Sequence, residues 1–296
     1  MQKISYLLLA TTFLFACNSP QPASIPSAPQ KIEVEDQGVK IAYTDTGKGD
    51  TTLLFVHGWC INKSYWTDQV AFFSPRYRVV TMDLPGFGQS GKNRTVWTTE
   101  AFGKDVDSVM QQLDLHNVIL VGHSMAGHII LEAANHAAGR VIGLVGVDNF
   151  KNAGQTQTPQ EKAQMVKILD SMQHNFRQLT MQYMGQELFY KTTADSIRKR
   201  VLDDVAGADS LIAVACLQPD DFSEIRELAR TKMKLNIISS DVKPTDTTAF
   251  KANHLPFEVL YIHATGHYPM IEKPAAFDSL LQQAIGHISP ATKTPA

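Results

Sequence analysis

The apolar positions of the chain form short continuous runs, and stretches with helical spacing lie between these runs. Such runs, bounded by turn residues, are typical of strands buried on both faces of a sheet. They predict strands within the segments 51–58, 76–86, 117–124, 140–150, 234–241 and 257–267. Segments 32–36 and 40–47 precede them and are predicted to form a hairpin, because Gln37 and Gly38 between them are turn-forming residues.

Helical spacing of apolar residues separates most of these strands. Residues 99–114 are predicted as a helix capped by Thr98 or Thr99, and Met125 to Ala138 as another. Parallel strands need crossover connections, and helices usually supply them. The alternation therefore predicts an α/β fold with a doubly wound, mainly parallel sheet.

The interval 151–231 departs from this alternation. It contains helical patterns and no convincing strand; the predicted helices are 161–172, 175–189, 194–206 and 222–230. An insertion after the carboxyl end of a strand lies where ligands bind in such sheets. We predict a core made of residues 31–150 and 232–289, with residues 151–231 as an inserted helical cap.

The N-terminus has the pattern of an export signal. Lys3 precedes an apolar segment, 4–16, which is too short to span a bilayer but suits the hydrophobic part of a signal peptide. Residues 14–17, LFAC, resemble the lipobox of bacterial lipoproteins, which implies that residues 1–17 are a signal peptide ending at a lipidated Cys17. A plain cleaved signal with an incidental cysteine is the alternative.

The next residues are consistent with a lipoprotein. Residues 18–30 are rich in proline and serine and carry no charge, as expected of an extended tether. We therefore expect an exported protein, lipid-anchored on the periplasmic or cell-surface side of a bacterial membrane. The tail 290–296 is predicted to be disordered.

Net charge, cysteine spacing and histidine spacing bear on possible partners, a disulfide and a metal site. The formal net charge is −2, so no broad positive field is available for nucleic acid, and the membrane is expected to be contacted only through the anchor. Cys60 and Cys216 can be paired or free, and their spacing does not decide between the two. His263 and His267 are four residues apart but not on a helix, so no metal site is predicted.

Ser124 lies at the end of a buried apolar run, in the sequence NVILVGHSMAG of residues 117–127. Small residues at 122, 126 and 127 allow a tight turn from strand to helix, which would project the serine hydroxyl above the sheet. A serine hydroxyl is a poor nucleophile at neutral pH and needs a base. His267 follows the last predicted strand and is the candidate.

The segment around Ser124 resembles the G-x-S-x-G nucleophile elbow of α/β-hydrolases, with alanine at the last position. Three further segments resemble motifs of that family in the same order: FVHGW at 55–59, DLPGFGQS at 83–90 and GHYPMIEKP at 266–274. The resemblance covers most of residues 32–285. It implies an oxyanion hole made by the backbone N–H groups of Trp59 and Met125, and no cofactor. His57 and His123 are expected to pack and hydrogen-bond within their loops.

The acid that orients the histidine is not decided by the sequence. In this family it usually follows the strand predicted at 234–240, and simple alignment places Lys243 where it is expected. Asp241 leaves that strand directly and is our first candidate, because an orienting acid should stand on a rigid strand end. Asp148, after the preceding predicted strand, is the alternative acid, and Asp246 is the third.

These residues predict a serine hydrolase that acts on small or medium apolar esters through an acyl-enzyme on Ser124. Family members with an aspartate nucleophile are excluded because position 124 is serine. Two alternatives keep the serine. One is a ligand-binding or signalling protein with little turnover, and the other is a carbon–carbon hydrolase or lyase that uses the same residues.

Overall fold

The structure, a computed structural model, describes residues 32–137, 139–155 and 158–288. The predicted signal peptide 1–17 with Cys17, the tether 18–30 and the tail 290–296 lie outside the described residues. Among the helices within the described ranges, none combines the length and apolar character needed to cross a membrane.

An eight-stranded sheet forms the centre of the described chain. The strands are β1 (Ile32–Asp36), β2 (Val39–Asp45), β3 (Thr52–Val56), β4 (Arg78–Met82), β5 (Val118–His123), β6 (Val141–Val147), β7 (Leu235–Ser240) and β8 (Phe257–Ile262). Their order across the sheet is β1-β2-β4-β3-β5-β6-β7-β8. Strands β3 to β8 pair in parallel, whereas β1 with β2 and β2 with β4 are antiparallel. The predicted hairpin and mainly parallel sheet are confirmed.

Burial explains why the apolar runs become central strands. Every residue of β3, β5 and β7 is buried, as expected when helices cover both faces of a parallel sheet. The core helices are α1 (Thr67–Phe73), α2 (Thr99–Gln112), α3 (Ala126–His136) and α10 (Pro274–Ile288); Lys63–Trp66 is a short 3-10 turn. These helices cover the sheet in two groups. Helix α3 packs beside α2 and contacts β5 and β6, and α10 packs beside α1 and contacts β6, β7 and β8.

Between β6 and β7 the structure has helices where the sequence predicts the cap. They are α4 (Pro159–Glu187), α5 (Asp195–Gly207), α6 (Ser210–Ala215) and α7 (Glu224–Thr231). Thr158 and Glu161 form a capping box that starts α4, and non-helical dihedrals at Asn175 kink it where two helices were predicted. The sequence did not predict α6, nor α1 and α10 of the core.

The four inserted helices do not all pack alike. Helix α4 packs on α5 and α6, whereas α7 packs on α3 of the core. Met172, Phe176 and Met184 of α4 are buried in the apolar core.

The remaining short helices, α8 (Thr248–Ala252) and α9 (Pro269–Glu272), flank β8 in the sequence. All parallel strands end at the same edge of the sheet, and the loops after β3, β5, β6, β7 and β8 meet there.

Candidate active site

Ser124 occupies a sharp turn between β5 and α3. Its φ is +53°, a left-handed conformation that costs free energy for a residue with a side chain. A Cβ at position 122 would lie 2.5 Å from the Ala126 carbonyl oxygen, and one at position 127 would lie 2.4 Å from Asn149 Nδ2. The small residues in this segment are therefore required by close backbone approach, and the turn holds the serine hydroxyl at the sheet edge.

His267 connects the serine hydroxyl to a carboxylate. Its Nε2 lies 2.8 Å from Ser124 Oγ, and its Nδ1 lies 2.6 Å from Asp148 Oδ2. An ionised carboxylate only accepts hydrogen bonds, so the ring proton lies on Nδ1 and Nε2 is free to accept from the hydroxyl. The three side chains form the hydrogen-bonded series that nucleophilic catalysis by serine requires.

The carboxylate at His267 is Asp148, and the expectation that Asp241 takes this position is corrected. Asp241 accepts a hydrogen bond from the backbone N–H of Ala264, at 2.5 Å, and lies 3.0 Å from Nδ1 of His263. Asp246, the third candidate, accepts from the backbone N–H of Thr248 and from the Gln155 side chain.

Strand order explains this outcome. Strand β6 is the neighbour of β5, which carries the serine, whereas β7 is one strand further away. Asp148 leaves β6 with a φ of +49°, which turns its side chain toward the end of the sheet. Asp241 continues from β7 toward the end of β8, where it closes the loop before Thr265.

Asp148 is buried and has three hydrogen-bonding neighbours. Besides His267, its Oδ1 accepts from the backbone N–H of Ser240 at 2.8 Å and lies 2.7 Å from Nζ of Lys151. Burial by itself would raise the pKa of this carboxyl. The bond to His267 and the charge and bond of Lys151 outweigh burial and hold its pKa well below the usual range, so Asp148 stays ionised.

The two other histidines near the serine have structural partners, as the sequence predicted. His123 Nε2 donates to the His267 carbonyl oxygen at 2.7 Å, and burial lowers the pKa of His123 to about 3. His57 accepts from the backbone N–H of Leu84 at 2.9 Å and donates from Nδ1 to the Gly58 carbonyl oxygen at 2.7 Å. Both rings are therefore neutral and hold the loops around the serine.

The loop after β3 lies directly beside the serine. A Cβ on Gly58 would be 3.0 Å from the Ser124 Cβ, so the backbone of Trp59 follows immediately next to the nucleophile. Met125 follows Ser124 and precedes the first residue of α3. The two backbone N–H groups predicted for the oxyanion hole are thus on segments that meet at Ser124. The Trp59 indole bonds to the Ala213 carbonyl oxygen of α6 at 2.8 Å and packs edge-on against Phe176 of α4.

The loop that carries His267 is attached to the segment between α4 and α5. The His267 N–H donates to the Leu188 carbonyl oxygen at 2.8 Å. Glu272 accepts from the N–H groups of Gly266 and Tyr268, on either side of the histidine, and from the hydroxyl of Thr193 at 2.6 Å. These bonds fix the backbone of the histidine against the inserted helices.

Comparisons with known proteins agree with this fold. A family model described as alpha/beta hydrolase fold matches residues 51–188. A thermophilic esterase from Thermogutta terrifontis superimposes with a TM-score of 0.73 at 20% identity, over 88% of this chain and 99% of that one. The 3-oxoadipate enol-lactonase 2 of Acinetobacter baylyi is 23% identical over 83% of this chain and 93% of its own length.

The chain has the α/β-hydrolase fold.

Sequence matches of higher identity cover a shorter part of the chain. The non-heme chloroperoxidase CPO-A1 of Kitasatospora aureofaciens is 35% identical over 106 residues, which are 35% of this chain and 38% of that protein. Relatives of this α/β-hydrolase-fold chain therefore have different named activities, and the site residues must decide among them.

Neither cysteine is a second nucleophile for this α/β-hydrolase-fold chain. Cys60 and Cys216 are both free thiols in the structure. Burial raises the pKa of Cys60 far above its ordinary value and that of Cys216 to about 12. Within the described ranges, no group of three or more His, Cys, Asp or Glu side chains could hold a metal ion.

Sequence reasoning missed two residues at the site, Lys151 and Glu272. Lys151 contacts Asp148, and Glu272 holds the backbone on both sides of His267. A lysine three residues after a candidate acid was the available signal for the first. Glu272, five residues after the histidine in GHYPMIEKP, was the signal for the second.

Proposed function

We propose that this chain is a serine hydrolase that cleaves small or medium apolar carboxylic esters. The observation that carries the proposal is the hydrogen-bonded series Ser124 Oγ, His267 and Asp148, in which His267 Nε2 is placed to accept the serine proton. Ser124 lies in a strained left-handed turn beside two backbone N–H groups. Backbone strain of this kind is typical of functional sites.

Acylation follows from these positions. Ser124 Oγ attacks the ester carbonyl carbon while its proton passes to His267 Nε2. The carbonyl oxygen becomes an oxyanion beside the N–H groups of Trp59 and Met125, which stabilise its charge. Asp148 stabilises the imidazolium through Nδ1–H. The tetrahedral intermediate collapses when Nε2 returns the proton to the leaving alcohol, and the acyl group remains on Ser124.

Deacylation repeats the sequence with water. His267 takes a proton from water, the hydroxide attacks the acyl carbon, and Ser124 leaves with the proton from Nε2. Every proton transfer uses Nε2, while the Nδ1 proton stays bonded to Asp148, and the cycle leaves the protein unchanged. No cofactor is needed for either half of this proposed reaction.

The surroundings of the serine support an apolar substrate. Trp59 and Phe176 pack against each other where the loop after β3 meets α4, and burial of apolar surface favours apolar acyl groups. The names esterase and enol-lactonase of two similar proteins are consistent with this substrate class.

The experiment compares the wild-type protein with Ser124→Ala. A fluorophosphonate probe should label the wild type, which should also hydrolyse short-chain aryl esters, and both activities should be lost in the variant. Ser90→Ala is a matched control, because the Ser90 hydroxyl bonds to Asp83 and the Ala42 N–H, away from His267. A folded wild type that neither labels nor turns over would overturn the ester-hydrolase proposal and favour a ligand-binding protein.

A lysine in place of the triad acid would favour the binding-protein alternative, because the histidine would then lack an orienting carboxylate. Lys243 stands where the family's acid was expected, but its side chain is exposed and Asp148 binds the histidine instead. Labelling without ester turnover would favour the carbon–carbon hydrolase or lyase alternative.

We also propose that the protein is exported and lipid-anchored through Cys17, from the residues 14–17 described above. Metabolic labelling with a fatty-acid analogue should mark the wild type expressed in a bacterial host and should not mark Cys17→Ala. Equal labelling of both proteins, or none of either, contradicts the anchor. Cys216→Ala serves as the control cysteine substitution.

A further inference from the structure

Lys151 has an unusual position for a positive charge. It follows β6 in the sequence, and only 13% of its side chain is exposed. Its Nζ lies 2.7 Å from Asp148 Oδ1 and bonds to Ser239 Oγ at 2.7 Å and to the carbonyl oxygens of Ser240 and Lys243 at 3.2 and 2.7 Å. A buried ammonium group is costly unless it is paired and hydrogen-bonded, and here it is both.

The two oxygens of Asp148 contact two different side chains. Oδ2 binds His267, and Oδ1 binds Lys151. The carboxylate that stabilises a proton on His267 is therefore already paired with a fixed positive charge. That charge makes a second positive charge on the adjacent imidazole less favourable, because like charges repel strongly where solvent screening is weak.

Lys151 also joins the ends of two strands. It follows β6, and three of its acceptors belong to the end of β7 and the turn after it. The Ser240 N–H, from the same strand end, donates to Asp148. The ammonium group and this N–H hold the carboxylate in one orientation beside His267.

We propose that Lys151 is a positioning residue that holds Asp148 and extends the activity of the site to lower pH. The proposal rests on the proposed function, in which His267 is the base. The positive charge of Lys151 opposes a second positive charge on the imidazole, so the base is available under more acidic conditions. Removal of the charge moves the acidic limb of the pH–rate profile upward.

Other charged or titratable groups face this part of the site, and none duplicates the position of Lys151. His123 on β5 is neutral because burial lowers its pKa to about 3. Tyr268 is also neutral, because burial raises its pKa far above the ordinary value. Other such groups among the described residues are Asp241 after β7 with its partner His263, His57 near His123, Glu272 in the histidine loop, and Cys60 and Tyr183, which face Tyr268.

The first experiment measures the rate of fluorophosphonate labelling against pH for four proteins. These are the wild type, Lys151→Gln, Lys151→Arg and the matched control Lys243→Gln, whose side chain is exposed. We expect the midpoint of the acidic limb to rise by about one pH unit or more in Lys151→Gln. It should stay near the wild-type value in Lys151→Arg and Lys243→Gln, which separates the charge at Lys151 from nearby surface charge.

A purely structural role gives a different result. Folded Lys151→Gln would then label more slowly at every pH with an unmoved midpoint, and this outcome overturns the proposal. Equal midpoint shifts in Lys151→Gln and Lys243→Gln would also overturn it, since any lysine in the region would then have the same effect.

A second measurement does not depend on catalysis or on the variants. In the wild type, the nitrogen resonance of Lys151 Nζ should show an inflection at the pH where the His267 ring resonances change, because both groups bind Asp148. Absence of that inflection overturns the proposal even if Lys151→Gln fails to fold. If the inflection is present but the wild type does not label, the ester-hydrolase proposal fails while the coupling of Lys151 to His267 stands.

Discussion

The ends of strands β6 and β7 each carry an aspartate, and the two carboxylates have different surroundings. Asp148 after β6 has 2% of its side chain exposed and binds His267, Lys151 and the Ser240 N–H. Asp241 after β7 has 28% of its side chain exposed and binds His263 and the Ala264 N–H. One aspartate therefore faces the candidate active site, and the other closes a surface loop.

The difference shows that a strand end does not by itself identify a triad acid. Both residues follow buried parallel strands, and both strands end at the same edge of the sheet. What separates them is the left-handed turn at Asp148 and the position of β6 next to the strand that carries Ser124. Lys151, between the two strand ends, compensates the charge of the inner carboxylate.

The largest effect that tests this comparison is on turnover in Asp148→Asn. An amide in this position cannot stabilise the imidazolium and favours the wrong ring tautomer. We expect kcat/KM for an aryl ester to fall by roughly a thousand- to ten-thousand-fold. Circular dichroism should show that the variant is folded. Turnover within tenfold of the wild type would mean that Asp148 is not the orienting acid.

The second test compares the stability of two alanine variants by urea unfolding. Asp148→Ala leaves the buried ammonium of Lys151 without its counter-charge, and we expect a loss of about 3–5 kcal/mol in the free energy of unfolding. Asp241→Ala removes a bond to the Ala264 N–H in a partly exposed loop and should cost about 1 kcal/mol. Equal losses would show that the two carboxylates are equivalent in the fold.

A third test concerns the loop that carries His267. Asp241 binds the start of this loop, at His263 and Ala264, and Glu272 binds the residues on both sides of His267. Glu272→Gln weakens the bonds to the Gly266 and Tyr268 N–H groups, so the histidine should be held less well. We expect kcat to fall by about tenfold with a smaller change in KM, because an interaction made mainly in the transition state is weakened. An unchanged kcat would assign Glu272 to attachment of the inserted helices alone.

The smallest effect is predicted for Asp241→Asn. The amide can still accept from the Ala264 N–H, and the side chain does not contact His267. Turnover should stay within about threefold of the wild type, as is usual for a substitution away from the reacting groups. A loss comparable to that of Asp148→Asn would restore Asp241 as the orienting acid and contradict the geometry.

The order of the strands, two core helices, the helical insertion and the positions of the serine and the histidine could be predicted from the sequence. Continuous apolar runs, helical spacing and turn residues act over a few neighbouring residues, so they are visible in the chain itself. Gly122 and Ala126 mark the turn around Ser124 because only small residues allow the close approach found there. The short helix α6 was missed because it spans only Ser210–Ala215, too few residues for a periodic pattern.

The sequence by itself determined the strands of a mainly parallel α/β sheet, the elbow at Ser124 and the loop that carries His267, because each is encoded by adjacent residues; the four motifs together gave the resemblance to α/β-hydrolases. The tertiary structure alone decided that Asp148 binds the histidine, that Asp241 does not, and that Lys151 pairs with the inner carboxylate. Asp148 and His267 are 119 residues apart in the sequence. Their contact depends on which strands are neighbours and on the direction of one backbone turn, and no local pattern of residues specifies either.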